Sequence, residues 1–410
     1  MISANDRKAL RDAAKRVAEI AALPVQEERR RMWKSHNALK RVRPLVLVFP
    51  EGSWDELLND RKMKVADPEL RHWEWQLRST IYEHEHFPND RPIEKTWPVY
   101  RAIRSTGWGL WPKEKPSSQT TKGARHYEQV LHSAEDLKKL HTPEISVDEK
   151  QTARTLELAQ DLFGGILDVF VSGVAHVSFH PMSEYMKLRG HEQSLLDMYM
   201  EPGLIHEAMA RFEEGYRGIT RQYEQLGLLT LNNNGAYHSS GGVGYIDALP
   251  APGFDGTHVR PRDIWASAES QELAAVSPEQ HGEFALQYER RLLEPFGLNG
   301  YGCCEPLHDK LDYVLTIPNI RRVSISPWAD VEKSAAKLGS RCIFSWKPHP
   351  AHLVGDFSPE RIRAYIRRTL DLTRGCVIEM ILKDTHTCEN HSERFTEWTR
   401  IAMELAQEHA

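Results

Sequence analysis

Apolar residues along the chain fall into short runs, too brief for buried helices, separated by stretches with helical spacing. Pro44-Leu-Val-Leu-Val-Phe-Pro50 is the first, and its β-favouring content predicts a buried parallel strand with Glu51-Gly-Ser-Trp54 at its C-terminal end. Further runs follow at 167–171, 175–179, 228–232, 298–303, 321–326, 341–346 and 375–382. Helical segments lie between them at 147–163, around 190–226 and at 277–296, the last opened by Ser277-Pro278-Glu279, an N-cap followed by proline. Residues 1–43 read as helix broken near Pro24. Strands alternating with helices predict a parallel sheet with right-handed crossovers. With no glycine-rich dinucleotide fingerprint in the chain, an α/β fold of the TIM type, a closed (β/α)8 barrel, is favoured over an open Rossmann sheet. That places the chemistry at the C-terminal strand ends. One segment breaks the rhythm. From about 55 to 145 the chain is irregular and polar and carries Trp73, Trp75, Trp97, Trp108 and Trp111, predicting a long Trp-rich insertion that caps or lines a site. The expected division is a basic helical N-terminal arm, 1–43, and a single barrel domain, 44–410.

Composition narrows the class. The 410 residues are 40% hydrophobic and 27% charged, the balance of an ordinary globular protein. No apolar run approaches the ~18 residues that span a bilayer, and no signal-peptide pattern opens the chain, so a cytoplasmic protein without membrane contact is expected. With 53 Lys and Arg against 58 Asp and Glu, the net charge of −5 argues against nucleic acid as a main partner. The arm differs: residues 1–43 hold 12 basic and 5 acidic side chains, leaving the rest strongly acidic. Five cysteines all lie in the last part of the chain, at 303, 304, 342, 376 and 388, which suits reduced thiols.

Polar side chains recur where apolar runs end. Glu51 and Trp54 follow the first; His180 another; then Asn232-Asn-Asn-Gly-Ala-Tyr-His238, Cys303-Cys304-Glu305, Ser326-Pro-Trp328, Trp346-Lys347-Pro-His349 and Lys383-Asp-Thr-His-Thr-Cys388. Glu51, His238 and Lys347 are the candidate catalytic groups. Trp54, Asn234, Tyr237, Trp328 and Trp346 are the candidate substrate contacts, flat rings and an amide suited to a small molecule. The stretch from Asn232 to Gly244 reads as a flexible polar loop. Cys304 and Cys388, 84 positions apart, could meet across a barrel mouth, and a catalytic zinc takes three protein ligands and one open position. The alternative is that such cysteines are simply small buried residues, as expected for Cys342 and Cys376.

The order of these elements resembles the uroporphyrinogen decarboxylase superfamily, especially its zinc- and corrinoid-linked methyltransferase branch. The likeness rests on Gly300-Tyr-Gly-Cys-Cys304, a strand ending in Ser326, Leu338-Gly339, Trp346-Lys-Pro-His-Pro350, Gly375-Cys-Val-Ile-Glu-Met-Ile-Leu382 and Cys388-Glu-Asn390. It implies zinc held by Cys304 and Cys388, with Glu305 first choice as third ligand and His386 or Cys303 behind it. It also implies a corrinoid (cobalamin) carried by a partner protein, with a small methyl donor or acceptor, an aryl methyl ether among the options. The chain departs from that pattern in two places. If Cys304 takes the cysteine place of a His-x-Cys pair, as helix spacing favours, Gly302 stands where histidine should be, and if Cys303 does, Tyr301 stands there; Phe49-Pro-Glu-Gly-Ser-Trp54 replaces the arginine-bearing segment of the decarboxylase. Two other readings stay open: a metal-independent decarboxylase or lyase of a small carboxylated substrate, and a non-catalytic corrinoid or tetrapyrrole binding protein. A homodimer is also left open.

Overall fold

The computed structural model describes residues 2–59, 62–115 and 126–410, so residues 60, 61 and 116–125 of the expected insertion lie outside the described residues. Seven strands form the central sheet: β1 Leu45–Val48, β2 Ser178–Phe179, β3 Trp265–Ala268, β4 Leu298–Tyr301, β5 Ile320–Ile325, β6 Ile343–Trp346 and β7 Val377–Leu382. All pair in parallel, in the order β1-β7-β6-β5-β4-β3-β2. From β2 to β7 each strand lies beside its successor in the chain, and β1 lies beside the last. This is the winding of a TIM-type fold, without the reversal point of a doubly wound sheet.

Among the described residues the ladder stays open between β1 and β2, where a closed eight-stranded barrel was expected. The intervening runs find other partners. Thr96–Tyr100 pairs in parallel with Asp168–Ser172 apart from the main sheet, and its Pro98 has no N–H to offer a second neighbour. The expected strand at 228–232 makes a single bridge, Val174 to Leu229. Asn232 then uses its side chain in place of a ladder. Its Oδ1 accepts from the Trp265 N–H at 2.9 Å, and its Nδ2 donates to the Ala175 and Trp265 carbonyls. On the other edge the Val46 N–H donates to Asp90 Oδ2 at 2.8 Å, and the Asp90 N–H donates back to the Val46 carbonyl.

The strands are largely buried on both faces, as expected for parallel strands under crossovers. Val46, Val48, Phe344, Trp346 and Met380 face a large apolar cluster with Trp398 and Ile401 of the Glu393–Glu408 helix. Leu45, Leu47 and Ile381 alternate to the other face and meet Val243 and Tyr245. The stretch 237–244, expected as part of a flexible polar loop from Asn232 to Gly244, is therefore largely a buried plug: Tyr237–His238 pairs antiparallel with Gly242–Val243 against the sheet. Its glycines are there for room. A Cβ on Gly242 would stand 2.3 Å from Arg322 Cζ, and one on Gly244 1.8 Å from the Asn232 carbonyl oxygen.

The expected irregular insertion also takes another form. Asp67 caps a 19-residue helix, Pro68–His86, accepting from the Glu69 N–H at 2.9 Å. Its tryptophans serve separate places: Trp73 and Trp97 pack on Phe163, Trp75 meets Trp54, Trp108 meets Phe212, and Trp111 is exposed. The N-terminal arm forms two helices, Ala4–Ala21 and Pro24–Asn37, packed on the rest of the chain. Trp33 is fully buried and donates to the Asp90 carbonyl, and Arg7, Lys34 and Arg43 pair with Asp161, Asp247 and Asp90.

Candidate active site

The turn after β4 is built around Gly302, whose φ of +93° lies in the region open to glycine, and where an added Cβ would stand 2.5 Å from Leu307. A histidine in this position has no room, which explains the glycine physically. Cys303 follows, its N–H donating to Glu305 Oε2 at 2.8 Å and its carbonyl accepting from Ser324. The two thiols lie side by side, Sγ to Sγ 3.5 Å, and Cys304 Sγ is 3.8 Å from Asp384 Oδ2. The Cys303 S–H donating to Cys304 lowers the Cys304 pKa; burial and Asp384 oppose this, while Lys383 assists. Cys303 is correspondingly held as the thiol by that hydrogen bond and by burial.

Lys383 and Asp384 come from the end of β7, the sheet neighbour of β1, and the two strand ends are stitched together. The Asp384 N–H donates to Glu51 Oε2 at 2.7 Å, and the Thr385 hydroxyl donates to the Phe49 carbonyl. Glu51 and Asp384 both hold positive φ, +47° and +58°, a strained backbone of the kind that clusters at working sites. Burial disfavours charge on Lys383, but Tyr237, Cys303, Asp384 and Glu51 around it outweigh burial and raise its pKa. The Glu51 pKa is raised as well, which for an acid favours the neutral form: burial and Asp384 raise it against the pull of Lys383. Beneath the cysteines Glu305 is buried with Oε1 unpartnered, its pKa pushed up to about 7 by burial and by Glu269.

Beside this group opens a cleft of about 770 Å3, lined by Glu51, Trp54, Trp75, Asn234 and Tyr237 among others. Four residues expected from the strand ends, Glu51, Trp54, Asn234 and Tyr237, thus share one cleft. The others lie elsewhere. Trp346 is buried on the opposite face of β6 against Tyr365, and Trp328 is exposed beside His349. Lys347 is buried, its ammonium donating to the Ser345 carbonyl and hydroxyl, and burial brings its pKa down to about 7. His238 lies buried on Trp265 at 4.5 Å, its Nε2 without a partner, and burial holds its pKa well below that of free histidine.

The expected zinc ligands Cys304, Glu305 and Cys388 have separate partners. Cys388 is fully buried, its thiol donating to Glu56 Oε2 at 3.1 Å, and burial with Glu56 pushes its pKa up to about 12. The Cys388 and Asn390 N–H groups donate to the same oxygen. Cys304 and Asp384 offer two donors to a metal. Among the described residues no three His, Cys, Asp or Glu side chains converge to hold an ion. This donor set does not fit a zinc ion with three protein ligands.

Sequence reasoning noted Lys383 and His180 among the strand ends without giving either a role, and passed over Glu269, which joins His180 at 2.8 Å across the ends of β2 and β3. The signal for Glu269 was present, since Ile264-Trp-Ala-Ser-Ala268 is another short run ended by a charge, but Ser267 masks it.

No family model matches the chain, and no curated protein matches it in sequence. Among solved structures, a methyltransferase from Methanosarcina mazei is similar in fold, with a TM-score of 0.50 and 11% identity over 91% of this chain and 97% of that one.

Proposed function

We propose that the protein is a methyltransferase that moves a methyl group between a small substrate in the cleft and a corrinoid carried by a partner protein. The observation that carries this reading is the Cys303–Cys304 pair, Sγ to Sγ 3.5 Å, linked through Asp384 and Glu51 to an aromatic cleft on the C-terminal side of a parallel sheet. The fold likeness to a methyltransferase supports it. A corrinoid bound over the mouth would supply the one-carbon exchange chemistry. The chain's own residues hold and orient the substrate: Trp54 and Tyr237 as walls, Asn234 as a polar contact, Lys383 as the cation that stabilises negative charge near Cys304. Zinc enters this proposal only as a question for metal analysis, because the donor set found holds two donors, and no step is routed through it.

The test follows visible absorption of a reduced corrinoid as methyl donors are offered with the protein. Wild type is expected to turn over, and Cys304→Ala to fall by at least a hundredfold with unchanged circular dichroism. Full activity in Cys304→Ala would sink the reading. Metal analysis of the same two preparations is expected to find less zinc in Cys304→Ala if the metal belongs to the site; equal content in both removes zinc from the proposal.

A further inference from the structure

The cleft has walls of aromatic rings and more carboxylate than cation. Trp54 and Trp75 meet edge to face at 5.7 Å, His72 stacks on Trp75, and Phe49 meets Tyr237 at 5.6 Å. Among the described residues three carboxylates line it, Glu51, Glu83 and Glu94, against the single guanidinium of Arg91. That guanidinium is already committed, its Nη1 donating to both Glu83 oxygens at 2.7 and 2.6 Å. Glu94 accepts from the Tyr245 hydroxyl at 2.7 Å and Glu51 from the Asp384 N–H at 2.7 Å. These hydrogen bonds fix the two carboxylates in place without cancelling their charge. Lys383 stands beyond Glu51 with its ammonium 3.5 Å from Asp384.

We propose that this cleft binds a small quaternary ammonium cation of about the size of choline, with Trp54, Trp75 and Tyr237 as its aromatic wall and Glu51 and Glu94 as its counter-charges. A quaternary nitrogen has no N–H to donate, so it is recognised by ring faces and by carboxylates that need not touch it. A neutral aryl ether would fill the same volume but would desolvate two carboxylates without compensating them. As a ligand assignment the proposal stands on the cleft alone; as a methyl donor the cation rests on the methyltransferase reading.

Isothermal calorimetry on the full chain, with choline and its neutral carbon isostere 3,3-dimethylbutan-1-ol, tests it. Choline is expected to bind at least tenfold more tightly than the isostere. Trp75→Leu keeps apolar area and removes the ring; Glu94→Gln keeps an acceptor for Tyr245 and removes the charge. Each is expected to weaken choline about tenfold while leaving the isostere within about threefold. If Glu94→Gln does not fold, Glu51→Gln serves. Equal affinity for the two ligands, or no choline binding by folded wild type, overturns the proposal. Methyl transfer from a methoxyarene with no choline binding would overturn it and keep the methyltransferase reading. Choline binding with no methyl transfer from any donor would do the reverse.

Discussion

At the scale of single residues, two cysteines that read alike in the sequence have different surroundings. Cys304 sits at a strand end beside an acid and a thiol, while Cys388 is packed in the core with its thiol on Glu56. Cys388→Ala is therefore expected to lower stability by about 1–3 kcal/mol, measured by denaturant unfolding, and to leave methyl transfer near wild type. Burial pushes the Glu56 pKa up, but hydrogen bonds from Thr387, Asn390 and Cys388 win and hold it at about 2. A depressed carboxylate stabilises the fold above its unfolded pKa. Wild type should accordingly lose stability as pH falls from about 4.5 toward 2 more steeply than Glu56→Gln, as melting temperatures across that range would reveal. The strand-end rule brought Glu51, Trp54, Asn234 and Tyr237 to one cleft, because a residue just past a buried strand has few places to go but the mouth. Trp346 and Lys347 lie away from that cleft, because side chains alternate across a strand. Lys347 shares the face of Ser345, and Trp346 takes the opposite one, toward the helices.

At the scale of elements, long apolar runs and capped helices were legible, and the buried plug was not. Residues 232–244 are mostly Asn, Ser and Gly, a composition that reads as solvated loop. Nothing local reveals that Gly242 lets the chain pass within reach of a buried arginine. Gly242→Ala is expected to destabilise by roughly 1–3 kcal/mol through overpacking against Arg322, checked by chemical denaturation. The expected helix at 277–296 forms as Pro278–His281, a π-helical turn at Gly282–Leu286, and Gln287–Leu293. It carries the fully buried Glu289, which accepts from Ser270 and Tyr301. Burial outweighs those bonds and pushes its pKa up to about 8. The native state then keeps a proton that the unfolded chain releases above about 4.5, so stability falls as pH rises from there toward 8, by up to about 1.4 kcal/mol per unit. Glu289→Gln should flatten that slope in melts taken between pH 5 and 8.

At the scale of the whole molecule, the uneven charge of the sequence has a structural destination, because the basic arm lies on the acidic remainder. Its end is also tied into the sheet interior. His36 Nε2 meets Glu379 at 3.0 Å, Asn37 Oδ1 accepts from Arg322 at 2.7 Å, and Arg322 Nε donates to Glu379 at 2.9 Å. All four are buried, and Arg322, His36 and Lys347 hold the Glu379 carboxyl far below its usual range despite burial. Removing residues 1–43 would strip two partners from a buried charge pair, a costly loss. The truncated chain is expected to show no cooperative melt, whereas the full chain does.

The pairing of β1 with β7 also sets a timetable. Leu45 lies beside Glu379, so a segment made early by the ribosome waits for one made near the end, about 330 residues later. At roughly 5–20 residues per second that is about 15–70 s during which Leu45–Val48 has no strand to join. An apolar four-residue strand left waiting that long invites chaperones or misassembly, and the arm, synthesised just ahead of it, is placed to cover it in the meantime.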